Sequence, residues 1–222
     1  MDKLKILLLA ASLVLAITFT FSCSSDDGGG GGGGTCIANF RTVTIGTQTW
    51  MAENLNCNVR GSKCYDNNSA NCAKYGRLYD WATAMGLPSS CNSSGCSNQI
   101  QSKHKGICPS GWHIPSNDDW KVLMDYVGGS ETAGTKLKAK IGWNESDNGT
   151  DEFEFSALPG GWGYSDGSFS DVGDYGFWWS ASEDKEVSKD ASSRRMGYNY
   201  ERMDDWFSSS KPCLFSVRCV KD

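Results

Sequence analysis

One pattern in the chain has the spacing of a catalytic serine. Residues 163–167 (GYSDG) match the G-x-S-x-G turn that presents the nucleophile of many hydrolases. That turn requires a strand before the serine, a helix after it and a histidine later in the chain. Ser165 instead lies in a glycine-rich stretch, and both histidines, His104 and His113, precede it. We therefore predict a plain turn at Ser165.

Neither histidine has a partner that the sequence reveals. His113 lies between Trp112 and Ile114, so we expect it in or near the core. His104 lies between two lysines, so we expect it to be exposed to solvent. A general base needs a partner within hydrogen-bond reach, and no neighbouring residue supplies one.

An acidic loop over residues 144–152 is the best metal candidate. Calcium binds six to eight oxygens from carboxylates, amides and carbonyls, and Gly149 would allow the sharp turn that such a cage needs. The spacing is not that of an EF-hand. The predicted ligands are Asp147, Asn148, Asp151 and Glu152. The alternative is an acidic loop that is simply solvated.

Aromatic residues are abundant, with nine Trp, eight Tyr and nine Phe. Carbohydrate-binding proteins stack exposed rings on sugar faces and bind the hydroxyls with nearby amides and carboxylates. The aromatics that fall in polar, loop-like surroundings are Trp162, Tyr164, Tyr198, Tyr200 and Trp206. We predict ligand contacts for these five, with packing inside loop clusters as the alternative.

The N-terminal segment reads as an export signal. Residues 1–22 combine two lysines with an apolar run from Ile6 to Phe21, shorter than the roughly 20 residues that span a membrane. Ser22 precedes Cys23, which resembles a bacterial lipoprotein signal in which the cysteine is lipidated. The alternative is an ordinary secretory signal. Residues 23–41, with seven glycines at 28–34, are then a lipidated, flexible tether.

The residues that follow Cys23 indicate a location. Residues 24–27 (SSDD) resemble a surface-export signal of Bacteroidetes-like bacteria, which predicts an outer-membrane lipoprotein facing the exterior. A periplasm-facing lipoprotein is the alternative. The net charge of −5 gives no indication of nucleic-acid binding.

Nine cysteines follow Cys23, and in an exported protein they favour disulfides over metal ligation. Having only two histidines weakens a zinc interpretation further. Short spacing within polar loops predicts the pairs Cys64–Cys72 and Cys91–Cys96. Because nine is odd, at least one thiol is free or paired between chains.

Periodicity predicts the elements that would position these groups. Residues 78–85 and 131–140 are helix candidates, and the clearest helix starts at Ser116 and stops at Gly128. Its apolar residues recur at helical spacing from Trp120 to Val127. A hairpin (42–45 and 48–51) and short strands at 153–157, 177–182, 195–200 and 214–220 complete the pattern. The order indicates an α+β fold with an antiparallel sheet.

Six motifs in order resemble the Fibrobacter succinogenes major paralogous domain family. They are residues 44–55 (TIGTQTWMAENL), 75–81 (YGRLYDW), 108–116 (CPSGWHIPS), 155–161 (FSALPGG), 178–182 (WWSAS) and 215–220 (FSVRCV). The resemblance covers residues 42–222. It implies a C-type-lectin-like fold, also similar to formylglycine-generating proteins: a small twisted antiparallel sheet, two or three helices and long loops held by disulfides. Members are mostly secreted or surface lipoproteins of unestablished biochemical function.

The resemblance also implies a third disulfide, because such folds often tie the helical region to the last strand. Cys108 and Cys219 lie in matching motifs, so we expect them to pair, leaving Cys36, Cys57 and Cys213 with one free thiol. The sulfatase-modifying relatives act through cysteines near the C-terminus. Their Arg-Gly-Gly-Ser-Trp-like motif is absent here, so we expect no such enzyme.

The function that these features predict is non-catalytic binding at the cell surface. The expected partner is a polysaccharide or another extracellular polymer, and the flexible tether suits adhesion. A structural or protein-interaction module of the cell envelope is the second hypothesis. An enzyme of the formylglycine-generating type is the third.

Overall fold

The computed structural model describes residues 39–222, apart from the side chains of Ser146, Asp205, Trp206 and Phe207. The leader, Cys23, the glycine run and Cys36 lie outside the described residues. Within the described part the strands are β1 (Thr42–Ile45), β2 (Gln48–Met51), β3 (Trp112–His113), β4 (Gly160–Gly163), β5 (Phe169–Val172), β6 (Tyr175–Glu183), β7 (Asp190–Gly197), β8 (Met203–Ser210) and β9 (Val220–Lys221). The helices are α1 (Ser69–Tyr75), α2 (Trp81–Met85), α3 (Asn117–Tyr126) and α4 (Ser130–Leu137).

The smaller sheet joins the two ends of the domain, with strand order β1-β2-β9-β3. The predicted hairpin forms β1 and β2, which pair from Thr42↔Met51 to Ile45↔Gln48. Strand β9 pairs with β2 on one side and β3 on the other, so Val220 lies between Trp50 and His113. The disulfide Cys108–Cys219 fastens the same junction, across 111 residues of chain.

The larger sheet has five strands in the order β5-β4-β6-β7-β8. Its pairs are antiparallel except β4 with β6, which run parallel. Successive side chains of a strand point to opposite faces. Along β6, Phe177 and Trp179 therefore enter one apolar cluster, which also holds Met51, whereas Trp178 enters a second cluster with Trp120. The sheet thus separates two cores.

The helices form where the sequence supplies caps and apolar spacing. The Ser116 hydroxyl accepts a hydrogen bond from the Asp119 backbone amide, and the Asp119 carboxylate accepts one from Ser116 in return, which completes a capping box at the start of α3. Trp120, Leu123 and Met124 are buried. Helix α2 starts at Trp81, later than predicted, because Asp80 caps it and the preceding residues pair with other segments instead.

The structure is α+β as predicted, with two differences in its sheets. The predicted single small sheet is two sheets, and the larger one is mixed because β4 and β6 run parallel. The strand predicted at 153–157 is wrong. Glu154 and Ser156 have positive φ values (55° and 52°), and the Asp151 carboxylate accepts hydrogen bonds from the Ser156 amide and hydroxyl. These local bonds hold a loop in place of a strand.

Three disulfides join cysteines that both lie within residues 39–222, and they hold the long loops. They are Cys64–Cys72, Cys91–Cys96 and Cys108–Cys219, the same three pairs that the sequence analysis expects. Cys57 is also disulfide-bonded. Cys213 is the free cysteine among the described residues.

A buried polar hub connects the two sheets at Asn54. Its Oδ1 accepts hydrogen bonds from Trp178 Nε1 (2.8 Å), Arg218 Nη2 (2.8 Å) and Arg218 Nε (3.1 Å). Its Nδ2 donates to the Tyr75 carbonyl and to Ser216 Oγ. Arg218 is only 1% exposed, and it also donates to the Phe155 carbonyl. Burial lowers the pKa of Arg218 to about 9, and the nearby charges of Asp151 and Glu53 oppose this change only in part.

We expect Asn54→Ala to destabilise the domain by about 3 kcal/mol or more, because it leaves a buried guanidinium without its main acceptor. Urea unfolding measures the change. Asn199→Ala is the matched control, because Asn199 is exposed and its loss should cost less than about 0.5 kcal/mol. Equal free energies of unfolding for the two variants would contradict the role of the hub.

Candidate functional site

An open groove of about 440 Å³ lies on one face of the larger sheet. The residues that line it are Trp162, Asp171, Tyr175, Phe177, Arg195, Ser208, Ser209, Ser210, Cys213 and Phe215. They come from all five strands of that sheet and from the segment after β8. The sheet order brings them together, although they are spread over more than 50 positions of the chain.

Aromatic rings form the buried part of the groove. Phe177 and Phe215 stack with ring centroids 4.9 Å apart and planes at 19°, and both are almost fully buried. The Trp162 ring lies 6.0 Å from Phe177 and 6.2 Å from Phe215, and it is half-buried. The two phenylalanine rings support the half-buried Trp162 ring, which is the accessible ring of the three and can stack on a flat ligand.

A carboxylate fixes the orientation of the Trp162 ring. Trp162 Nε1 donates a 2.6 Å hydrogen bond to Asp171 Oδ2 on the neighbouring strand β5. Asp171 has a φ of 67°, a left-handed conformation that is uncommon for any residue except glycine. The Tyr164 ring packs against the Trp162 ring, with the two centroids 4.0 Å apart. Tyr164 is 41% exposed.

The positive charge at the groove is already paired. Arg195 donates to Asp204 Oδ2 from both Nε and Nη2, each at 2.7 Å, and its guanidinium lies 5.7 Å from the Tyr175 ring centroid. Asp204 also accepts a 2.7 Å hydrogen bond from Arg202. The guanidinium of Arg195 is therefore held in place beside the aromatic rings.

A glycine allows two tyrosines to meet at the end of the groove. Gly197 pairs with Tyr175 across the strands, and a Cβ on Gly197 would lie 2.5 Å from the Tyr200 ring and 2.9 Å from the Tyr175 ring. Both distances are too short for any larger residue. The centroids of the two rings are 6.3 Å apart, so the Tyr200 ring packs against the Tyr175 ring. Burial raises the pKa of Tyr200 to about 12.

The five aromatic residues that were predicted to contact a ligand therefore do not form one surface. Trp162 lines the groove, Tyr164 stacks on it, and Tyr200 supports it without lining it. Tyr198 packs against the second core, on the opposite face of the sheet. The side chain of Trp206 lies outside the described residues.

Most of the residues that line the groove were not predicted from the sequence. Asp171, Tyr175 and Arg195 were not predicted, nor were Phe177, Phe215 and the β8 serines. Alternation along β6 could have shown that Tyr175 and Phe177 share a face. No local pattern shows that Asp171 meets Trp162, because the turn between β4 and β5 decides their pairing.

The structure does not assemble the four predicted calcium ligands. Asp147 and Glu152 are exposed, Asn148 Oδ1 accepts a hydrogen bond from the Trp143 amide, and Asp151 holds Ser156. In the described part of the chain no group of three or more His, Cys, Asp or Glu residues could hold a metal ion. Two of the four residues are thus engaged in hydrogen bonds within the loop, and the other two are exposed to solvent.

A buried lysine of the chain donates a hydrogen bond to this loop. Lys138 is 3% exposed, and its ammonium donates to backbone carbonyls of both the acidic loop and the connection between β7 and β8. The acceptors are the carbonyls of Asp147 (3.2 Å), Gly197 (3.1 Å), Tyr198 (3.5 Å) and Tyr200 (3.2 Å). Burial lowers the pKa of Lys138, and the charges of Asp147 and Glu201 oppose that change.

The serine pattern has no catalytic surroundings. Ser165 lies in the exposed turn between β4 and β5, and a strand, not a helix, follows it. Tyr164 and Ser168 close this turn by a backbone hydrogen bond, as expected for the plain turn. The nucleophile-turn geometry is therefore absent at this position.

Both histidines are buried, which corrects the prediction for His104. Its Nε2 lies 2.7 Å from the Met85 carbonyl, and its Nδ1 accepts from the Gln101 amide. His113 lies between two carboxylates, with Nδ1 2.7 Å from Asp222 Oδ1 and Nε2 3.4 Å from Asp119 Oδ2. Burial alone would lower the pKa of His113, but the hydrogen bonds and charges of Asp119 and Asp222 outweigh it and raise that pKa.

The two cysteines near the C-terminus are in different oxidation states. Cys219 is bound to Cys108, which leaves Cys213 as the free thiol of the described residues. Burial and the charge of Asp190 raise the pKa of the Cys213 thiol, so it is protonated at neutral pH.

These features define a disulfide-stabilised α+β domain with an aromatic groove on its larger sheet. The model of the Fibrobacter succinogenes major domain family matches residues 43–221, and the chain belongs to this family. No curated protein and no solved structure matches it. The likeness to C-type lectins therefore stays a prediction. Within residues 39–222, no helix has the length and apolar character needed to cross a membrane.

We expect millimolar calcium to leave the melting temperature unchanged, because internal hydrogen bonds already engage the acidic loop. Differential scanning fluorimetry with calcium chloride and with a chelator measures this. Magnesium chloride at the same ionic strength is the control. A rise in melting temperature that only calcium produces, and that Asp147→Asn abolishes, would establish the metal site instead.

We expect the domain to lose stability as the pH rises above about 6.5, over the range in which folded His113 loses its proton. Because its folded pKa is raised, the stabilisation is complete below the unfolded value of about 6.5 and disappears as pH rises through the folded pKa. Urea midpoints across this range should fall less steeply for His113→Gln than for the wild type. Asp222→Asn should give an intermediate slope. A wild-type slope in His113→Gln would refute the assignment.

Proposed function

We propose that this chain is a lipid-anchored outer-membrane protein whose domain binds carbohydrate without catalysis. The observation that carries the proposal is the aromatic groove of the larger sheet, in which Trp162 is held by Asp171. The volume of about 440 Å³ falls within the range of ligand sites.

The groove offers the two kinds of contact that a sugar needs. The C–H face of a pyranose is apolar and packs on aromatic rings, here those of Trp162 and Tyr175. The hydroxyls at the edge of the sugar need hydrogen-bond partners, which the Asp171 carboxylate and the Ser208 and Ser210 hydroxyls at the groove can supply. The aromatic and polar residues therefore lie within one concave surface.

The chemistry of the lining residues favours binding over hydrolysis. Glycoside hydrolysis generally uses a pair of carboxyl groups that flank the scissile bond. Among the lining residues that the structure describes, Asp171 is the only acid. The Cys213 thiol is a poor nucleophile because its pKa is raised.

The N-terminal segment supports the location. An export signal that ends at Cys23, followed by residues 24–27 and a run of glycines, suits a lipid anchor on the outer surface. A flexible tether provides reach without a defined orientation. Such an arrangement suits adhesion to an extracellular polymer.

A second candidate function is a protein-interaction module of the cell envelope. One observation favours it: Val122 and Tyr126, on the outer side of α3, are 44% and 58% exposed. The two residues are four positions apart, so their side chains adjoin on the helix surface and offer a small apolar area for a protein contact.

On a glycan array the wild-type protein should bind, and Trp162→Ala should lose at least tenfold in affinity, because the stacking surface is removed. Trp162→Phe, which keeps a ring, should lose less. Tyr126→Ala is the matched aromatic control and should bind like the wild type, and thermal melts verify that each variant folds.

Two results would contradict the proposal. One is a wild-type protein that binds no glycan, and the other is unchanged binding by a folded Trp162→Ala. Cross-linking to envelope proteins that Tyr126→Ala abolishes would support the second candidate.

A further inference from the structure

We infer that the ligand of the groove is an uncharged polysaccharide chain, selected by the carboxylate of Asp171. The inference rests on the proposed function and adds the chemical class of the ligand. It follows from the charges at the groove, from the position of Asp171 and from the strands that the groove crosses.

The charges at the groove do not favour an anion. Of the described lining residues, Asp171 and Arg195 are charged. The Arg195 guanidinium directs two nitrogens to Asp204, whose side chain is 14% exposed and which also pairs with Arg202. Asp204 therefore offsets the positive charge of Arg195, so a uronate or sulfate gains little attraction from this guanidinium. The neighbourhood of Cys213 adds the further negative charge of Asp190.

Asp171 requires a ligand group that donates a hydrogen. An ionised carboxylate only accepts hydrogen bonds, and its two oxygens offer about four acceptor positions. Trp162 Nε1 uses one of them, at Oδ2. A sugar that stacks on the Trp162 ring brings its edge next to this carboxylate, where a hydroxyl can donate. An anionic group at the same place would bring two acceptors and two negative charges together.

The backbone keeps Asp171 in this position. Its φ of 67° is uncommon for a non-glycine residue, and the pairs Trp162↔Ser170 and Gly160↔Val172 on either side hold the strand. A conformation of this kind persists only where the surrounding structure imposes it. The stacking ring and the hydrogen-bond acceptor therefore form one rigid unit.

The groove crosses the sheet from Asp171 on β5 to the serines on β8. Four inter-strand spacings of about 4.8 Å give a length of about 19 Å, which is longer than one sugar ring. The ligand is thus a chain of sugars that lies across the strands.

The test is affinity electrophoresis of the full-length protein in detergent against uncharged polymers (xylan, mannan, laminarin) and acidic polymers (polygalacturonate, alginate). We expect at least one uncharged polymer to bind at least tenfold more tightly than either acidic polymer. Binding should change less than twofold between 20 and 200 mM NaCl, because no ion pair with the ligand forms.

Variants at Asp171 test whether its carboxylate causes the preference for uncharged over acidic polymers. Asp171→Asn keeps an acceptor for Trp162 and tolerates the left-handed backbone, so it should fold. It should bind uncharged polymers within about threefold of the wild type and bind acidic polymers at least threefold more tightly. Asp118→Asn makes the same charge change at an exposed position on α3, and should alter neither.

The outcomes separate the two proposals. Tighter binding of acidic polymers by the wild type, lost in Trp162→Ala, would overturn this inference and leave the carbohydrate-binding function standing. Equal effects of Asp171→Asn and Asp118→Asn would also overturn it. An absence of binding to every polymer would overturn both.

Discussion

The structure depends on the hydrogen bonds that one buried guanidinium, that of Arg218, donates. Arg218 is 1% exposed, and a charge at that depth is tolerated only when acceptors surround it. Asn54 Oδ1 supplies the main acceptor and also receives the Trp178 indole hydrogen from β6. Asn54 Oδ1 therefore joins three parts of the chain. They are the segment after β2, the central strand β6 of the larger sheet and the segment before β9. This contact fixes Trp178 toward the second core and, by alternation, Phe177 toward the groove.

Two further buried ammonium groups act in the same way on the long loops. Lys138 binds carbonyls of the acidic loop and of the connection between β7 and β8. Lys211 is fully buried, pairs with Glu183 at 2.5 Å and donates to the carbonyls of Ser188 and Ser94. Loops without regular structure leave carbonyls unpaired, and these cations satisfy them. The disulfide Cys91–Cys96 adds a covalent constraint to the loop that contains Ser94.

The groove follows from this arrangement of strands. The parallel pair β4–β6 places Trp162 next to Phe177, and the antiparallel pair β6–β7 sets Phe177 opposite Arg195. Strands β6 and β7 also carry Trp178 and Met196 into the second core, so a shift of one residue would move the groove residues of these strands to the wrong face. The binding surface and the cores are consequently specified by the same register.

Local features of this protein were determined by the sequence alone. The β1–β2 hairpin, the capping box at Ser116, the Cys64–Cys72 and Cys91–Cys96 pairs and the turn at Ser165 each depend on residues within a few positions of one another. The six ordered motifs indicated the family and, through it, Cys108–Cys219. Only the tertiary structure decided that Asp171 holds Trp162 and that Lys138 supplies the cation of the acidic loop. Sheet pairing and buried charge join distant segments, and single-sequence patterns carry no record of which segments meet.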